Sequence, residues 1–126
     1  MHRSYQIAII GSMEDQCTDK LFEYGEKLGK ELANLKVNIF SCGLRGFGES
    51  VFKGFISVPQ RENSCTSIVP FQNKQHELLH PYSDIVIPTG IGMPCNAILI
   101  HTADLVIAAG GGAETLSSLA FAWQCD

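Results

Sequence analysis

Asp104-Leu105-Val106-Ile107-Ala108-Ala109-Gly110-Gly111-Gly112-Ala113-Glu114-Thr115 is an apolar run closed by three glycines and continued by helix-forming residues. A short, unbroken apolar run of this kind fits a buried strand of a parallel sheet. The glycines supply a tight turn, and residues 113–123 read as the helix that follows. Glycine lets backbone come close to an anion and adopt positive φ, while a helix start presents unpaired N–H groups and a partial positive charge. The segment therefore has the parts of a phosphate cradle, and Thr115 can add a hydroxyl from the first helical turn. A glycine turn that serves only strand–helix packing uses the same residues, so the rest of the chain must decide.

Working outward, the pattern recurs. Residues 5–10 form an apolar run that closes on Gly11-Ser12, and residues 37–42 repeat it before the loop Gly43-Leu44-Arg45-Gly46-Phe47. Between them, residues 18–35 carry Leu21, Phe22, Tyr24, Leu28, Leu32, Ala33 and Leu35 largely at three- and four-residue steps, which predicts an amphipathic helix. Residues 48–55 read as a short helix and residues 64–69 as a strand stopped by Pro70. Residues 71–83 are polar and without period, a loop. Residues 84–88 read as another strand and 94–101 as a helix opening on Pro94. After residues 124–126 an alternating fold would turn into one more strand, so a final C-terminal strand is expected to be missing. Alternation without repeats or linkers predicts one α/β domain over residues 1–126, a doubly wound, Rossmann-like parallel sheet with right-handed crossovers. In such sheets ligands bind beyond the carboxyl ends of the strands, where all three glycine loops fall.

Composition narrows the function classes. The 126 residues are 45% hydrophobic and 17% charged, the balance of a folded core, with a formal net charge of −4. That charge argues against a nucleic-acid or anionic-membrane partner, which needs a basic surface. The apolar stretch Ile7 to Ile10 is too short for a signal peptide or a membrane span, so a cytoplasmic protein is expected. Cys17, Cys42, Cys65, Cys95 and Cys125 are odd in number and unpaired in spacing, giving neither a disulfide framework nor a zinc site. His76 and His80 stand four apart but lack a surrounding metal-binding frame, and no metal is assigned. Cys95, ahead of Asn96 at a helix start, is expected to be an inert thiol.

With these segments in place, the chain resembles the LOG-like proteins, often labelled lysine decarboxylases, and most nearly the branch that includes molybdenum cofactor carrier proteins. That branch shows an opening I-G-S, a C-G-G-x-G-G loop, an R-N-x-x-L helix and a G-G-G-x-G-T-L-S-E motif. Gly11 and Ser12 resemble the first of these; Cys42, Gly43, Gly46 and Glu49 the second; Gly90 and Asn96 the third; Gly110, Gly111, Gly112, Thr115, Leu116 and Ser117 the last. The resemblance implies a small phosphate-containing ligand on Gly11, Ser12, Gly43, Gly46, Gly90, Asn96, Gly110, Gly111, Gly112 and Thr115. It implies no required cofactor, with a nucleotide, phosphate or molybdenum cofactor as what is bound. It also implies a homodimer or higher homo-oligomer, with the helices around Asn96 and Thr115 near the shared interface.

The departures bear on activity. Where phosphoribohydrolases of the superfamily carry an arginine before the helix and a glutamate closing the glycine motif, this chain has Cys95 and Ser118. Glu114 replaces the motif's last glycine, and Met13 and Leu44 fill two more positions that relatives often give to glycine. Hydrolysis of an N-glycosidic bond needs a carboxylate to activate water and a cation for the phosphate or departing base. Glu114 and Arg45 are the residues that can substitute, each in a rearranged site. No lysine is placed for a Schiff base, so a decarboxylase is not expected. Three readings follow: a binder or carrier without turnover, a nucleoside 5′-monophosphate phosphoribohydrolase, and a structural or interaction protein whose loops only shape the fold.

Overall fold

In the computed structural model, which describes residues 3–125, strands and helices alternate from the first apolar run. They are β1 (Gln6–Gly11), α1 (Asp19–Asn34), β2 (Asn38–Ser41), α2 (Phe47–Ile56), β3 (Cys65–Val69), β4 (Ile85–Pro88), α3 (Cys95–Thr102), β5 (Leu105–Ala109) and α4 (Ala113–Cys125). All five strands are parallel, in the order β4-β3-β2-β1-β5. The chain steps from β1 out to β4 in one direction and then places β5 on the opposite side of β1. That reversal is a topological switch point, where two loops diverge and leave a crevice.

Period-two alternation sends neighbouring β1 residues to opposite faces. Ile7 and Ile9 pack with Val51, Phe52 and Phe55 of α2, whereas Ala8 packs with Cys95 and Leu99 of α3. Helices thus cover both faces, as the alternation predicted. The α1–α2 layer is built on glycine: a side chain at Gly25 would overlap Ser50, one at Gly29 the Val51 carbonyl, and one at Gly54 the Glu26 carbonyl. Close backbone approach explains why Tyr24 and Leu35, counted with the apolar face of this helix from sequence, instead stand 53% and 67% exposed. The contacting face is centred on Gly25, Gly29, Leu32 and Ala33.

Residues 105–109 also differ from expectation. Among the described residues they pair with β1 alone and form a sheet edge, so Leu105 is 55% exposed rather than buried. Among the described residues no strand follows α4, and none of their helices is long and apolar enough to cross a membrane.

The loop that links β3 to β4 ends at Asp84, whose carboxylate accepts from the Cys65 amide at 2.9 Å and from Arg61 at 2.7 and 2.8 Å. Burial alone would raise this carboxyl; the Arg61 guanidinium and the Cys65 amide outweigh it and hold it below the usual carboxylate value. A depressed folded-state pKa stabilises fully above the unfolded value, about 4, and the contribution is lost as pH falls through the lower folded value. Urea melts at pH 6, 4 and 3 are therefore expected to show acid destabilisation that is visibly smaller in Asp84→Asn, which starts less stable at pH 6. Parallel acid limbs for the two proteins would contradict this role.

Candidate functional site

Ser12 joins the three glycine loops. Its N–H donates to Ala109 O at 3.1 Å, its carbonyl accepts from Phe47 N–H at 2.9 Å, and its hydroxyl accepts from Gly111 N–H at 2.9 Å. Buried at 5% exposure, it locks the ends of β1 and β5 to the start of α2. Close approach explains the glycines around it. A side chain at Gly11 would overlap the Ala109 carbonyl, one at Gly46 the Ser12 carbonyl, and one at Gly110 the Ser12 hydroxyl. Gly46, Gly110 and Gly111 also hold φ of 135°, 66° and 97°, which L side chains rarely adopt.

Gly112 is different. Its φ is not positive, and a methyl group built on it meets nothing within 4 Å. The first hydrogen bond of the following turn runs from Leu116 N–H to Gly112 O at 3.0 Å. The N–H groups ahead of it, at Ala113, Glu114 and Thr115, are those a helix start leaves without intrahelical partners. Open space and free donors coincide there, at the switch point. The Thr115 hydroxyl lies 3.5 Å from Gly11 O, a long contact that leaves it able to turn.

Two adjoining cavities flank this helix start. One of about 50 Å³ lies among the loops and is lined by Gly11, Ser12, Cys42, Arg45 and Thr115. The other, about 520 Å³, opens between α3 and α4, walled by Pro94, Ala97, Ala113, Ser117 and Phe121. Met93, Asn96, Glu114 and Ser118 line both. Of the residues expected at the site, the structure brings Gly11, Ser12, Arg45, Asn96, Glu114 and Thr115 onto these walls. Gly110, Gly111 and Gly112 form the turn beside them. Gly43 and Gly46 sit behind the loop surface: the Gly43 amide is held by the Ser41 hydroxyl at 3.1 Å, and its carbonyl by His80 N–H at 3.0 Å. Gly90 lies apart, in a turn tied to Phe71 O.

Met93, Ser118 and Phe121 were not anticipated as lining residues. For two of them a signal exists, since Glu114, Ser118 and Phe121 are spaced i, i+4, i+7 along one face of α4. Met93 carries none, because only the tertiary approach of α3 to α4 brings it there.

Electrostatics separate the candidates. Arg45 is bound to Glu49 at 3.0 Å, and Glu49 also accepts from the Gly46 amide, so the nearest cation is partly neutralised. Burial pushes the Cys95 thiol up to about 11, assisted by Cys42 and Glu114 nearby, and it pushes Cys42 up as well. Neither is an activated thiolate. Burial and the Arg45 charge push His80 down to about 4; its Nδ1 accepts from Tyr82 N–H at 3.2 Å, and its ring meets Phe52 edge-on. His76 instead stacks on Phe71. Among the described residues no three His, Cys, Asp or Glu side chains converge as metal ligands.

Parallel order, a switch point between β1 and β5 and glycine loops around an open helix start define an α/β protein of the Rossmann-like class. Within that class the chain belongs to the SLOG cluster4 family, whose model matches residues 4–126. It is 30% identical over 117 residues to an uncharacterized protein of Archaeoglobus fulgidus, covering 93% of this chain and 72% of that one. Among solved structures it is similar to the molybdenum cofactor binding protein of the phototrophic bacterium Rippkaea orientalis, with a TM-score of 0.88 and 28% identity over 99% of this chain and 74% of that chain. It shares the fold of the molybdenum cofactor carrier protein of Chlamydomonas reinhardtii, at TM-score 0.84 and 20% identity, covering 98% of this chain and 73% of that one.

Proposed function

We propose that this protein binds a phosphate-bearing, nucleotide-like ligand at the switch point and carries it without turnover. The observation that supports this most is the α4 start, where first-turn amides lack intrahelical partners and a side chain at Gly112 would meet open space, while those at Gly110 and Gly111 would meet protein. A ligand phosphate accepts hydrogen bonds from those amides and gains from the helix dipole. The α3–α4 cavity, about 520 Å³, falls within the range that holds a small ligand and has room for a ring system, which the 50 Å³ cavity among the loops has not.

Molybdenum cofactor is one candidate for that ligand, since the Rippkaea orientalis relative is a molybdenum cofactor binding protein and the Chlamydomonas reinhardtii relative a molybdenum cofactor carrier protein. Bound molybdenum cofactor would supply redox chemistry to an enzyme that receives it; the residues here bind and orient. Arg45 engaged by Glu49, with Ser118 in place of a closing glutamate, favours holding over hydrolysis. The five free cysteines suit a reducing cytoplasm. Leu116, Leu119 and Trp123, outward on α4, suit a homo-oligomer.

Calorimetric titration with ribose 5-phosphate and nucleoside 5′-monophosphates, followed by chromatography for free base, tests the reading. Saturable binding with no base released over hours is expected, and a ligand at 100 times Kd raises stability by about 2.7 kcal/mol. Base release would instead establish the phosphoribohydrolase reading, with Glu114 as its carboxylate. Absence of any binding would leave the loops as purely structural.

A further inference from the structure

At the β4 edge of the sheet, the loop between β3 and β4 lines another cavity, of about 240 Å³, which shares no lining residue with the two at the switch point. Its polar walls are Lys74, Gln75, His76, His80 and Ser83, and among the described residues no carboxylate joins them. Lys74 is exposed and takes part in none of the ion pairs among the described residues.

The two histidines decide what such a cavity takes. His76 Nδ1 accepts from Leu78 N–H and His80 Nδ1 from Tyr82 N–H, each at 3.2 Å and each from the residue two positions on. A ring nitrogen that accepts bears no proton, so both rings carry theirs on Nε2 and donate there. Burial and, after it, the Arg45 charge keep His80 neutral, with a value of about 4. His80 is 4% exposed, and among the described residues nothing accepts from its Nε2. Buried donors are seldom left unpaired, because the hydrogen bond given up to water must be replaced. The ring cannot turn freely to find a partner. Its own N–H is tied to Gly43 O at 3.0 Å and its edge lies on Phe52, while His76 stacks on Phe71 at 3.8 Å.

A metal ion needs the Nε2 lone pair and hence a proton on Nδ1, where the Leu78 and Tyr82 amides already donate. The tautomer thus selects against a metal, although the two histidines stand four apart. Two imidazole N–H groups, an ammonium, an amide and a hydroxyl are matched instead by a group that only accepts and offers several oxygens. We propose that this cavity is a second binding site, for the carboxylate or phosphate group of a small free anion, with His80 Nε2–H and the Lys74 ammonium as its main donors. It stands independently of the ligand proposed for the switch point.

The test is long-range ¹H–¹⁵N spectroscopy of the histidine rings in the full chain at neutral pH, with inorganic phosphate and succinate as separate probes. His80 is expected as the Nε2–H tautomer, and its Nε2 signal to shift saturably with at least one probe; the tighter of the two tells which oxyanion is preferred. Gly112→Ala, which blocks the site proposed at α4, is expected to leave that shift unchanged, so the two sites fail separately. Calorimetry in the Gly112→Ala background is expected to show phosphate or succinate bound about tenfold or more weakly after His80→Phe, the loss of one hydrogen bond to a charged group. Lys74→Gln, at an exposed side chain, is expected to cost about two- to fivefold. If His80→Phe does not fold, the ring signal and Lys74→Gln decide the matter. A His80 signal that neither probe moves would mean that water alone meets Nε2 and would overturn the inference. An Nδ1–H tautomer, or affinity unchanged in the folded variants, would overturn it equally.

Discussion

Gly112→Ala is expected to lower ligand affinity by tenfold or more while leaving the protein at least as stable. The position has an ordinary φ and open space where a side chain would go, so alanine meets no protein atom within 4 Å. Gly→Ala at a compatible position stabilises by about 0.4–1 kcal/mol, through lost freedom of the unfolded chain. A phosphate lying on the amides of the next turn would meet the new methyl group directly. Thermal melts and ribose 5-phosphate titration therefore move in opposite directions. Unchanged affinity in a well-folded Gly112→Ala would remove the phosphate from this turn.

Gly11→Ala is expected to behave in the reverse manner, with a loss of about 3 kcal/mol or more measured by urea unfolding. The added carbon would overlap the Ala109 carbonyl and press on the Phe47 ring at 3.1 Å. The carbonyl is fixed by sheet pairing and the ring is 3% exposed, so neither gives way at small cost. Overpacking of a tight site costs about 1–3 kcal/mol and sometimes more, against a total stability of about 5–15 kcal/mol. The same shift would pull Ser12 from Ala109 O and Gly111 N–H, so residual folded protein should bind ligand poorly. A variant that melts like the parent would mean that β1 and β5 have slack that the geometry denies.

The contrast between these two glycines marks what the sequence could and could not tell. Their strings look alike, each an apolar run closed by glycine, and the order of the nine labelled elements followed from such strings together with the helical period of residues 18–35 and the prolines Pro70, Pro88 and Pro94. Which glycine is filled and which is open depends on the β1–β5 pairing, a contact across 98 residues that no local pattern encodes. Likewise Gly25 and Gly29 lay unread inside a periodic helix, because the period marks large apolar residues while the close α1–α2 contact needs small ones. At the site, Ser12, Glu114 and Thr115 were legible from motif and helix start. The α3–α4 cleft was not, since its walls come from two helices separated by a strand. Gly90 shows the converse: a position matched by resemblance that the fold uses in a turn away from both cavities.

The most direct test of a phosphate site at the switch point is to follow the backbone amides by ¹⁵N-resolved NMR as ribose 5-phosphate is added. Saturable shifts concentrated at Gly112, Ala113, Glu114 and Thr115, with smaller ones at Ser12, are the predicted result. Shifts confined to other surfaces, or none at saturating ligand, would contradict the account.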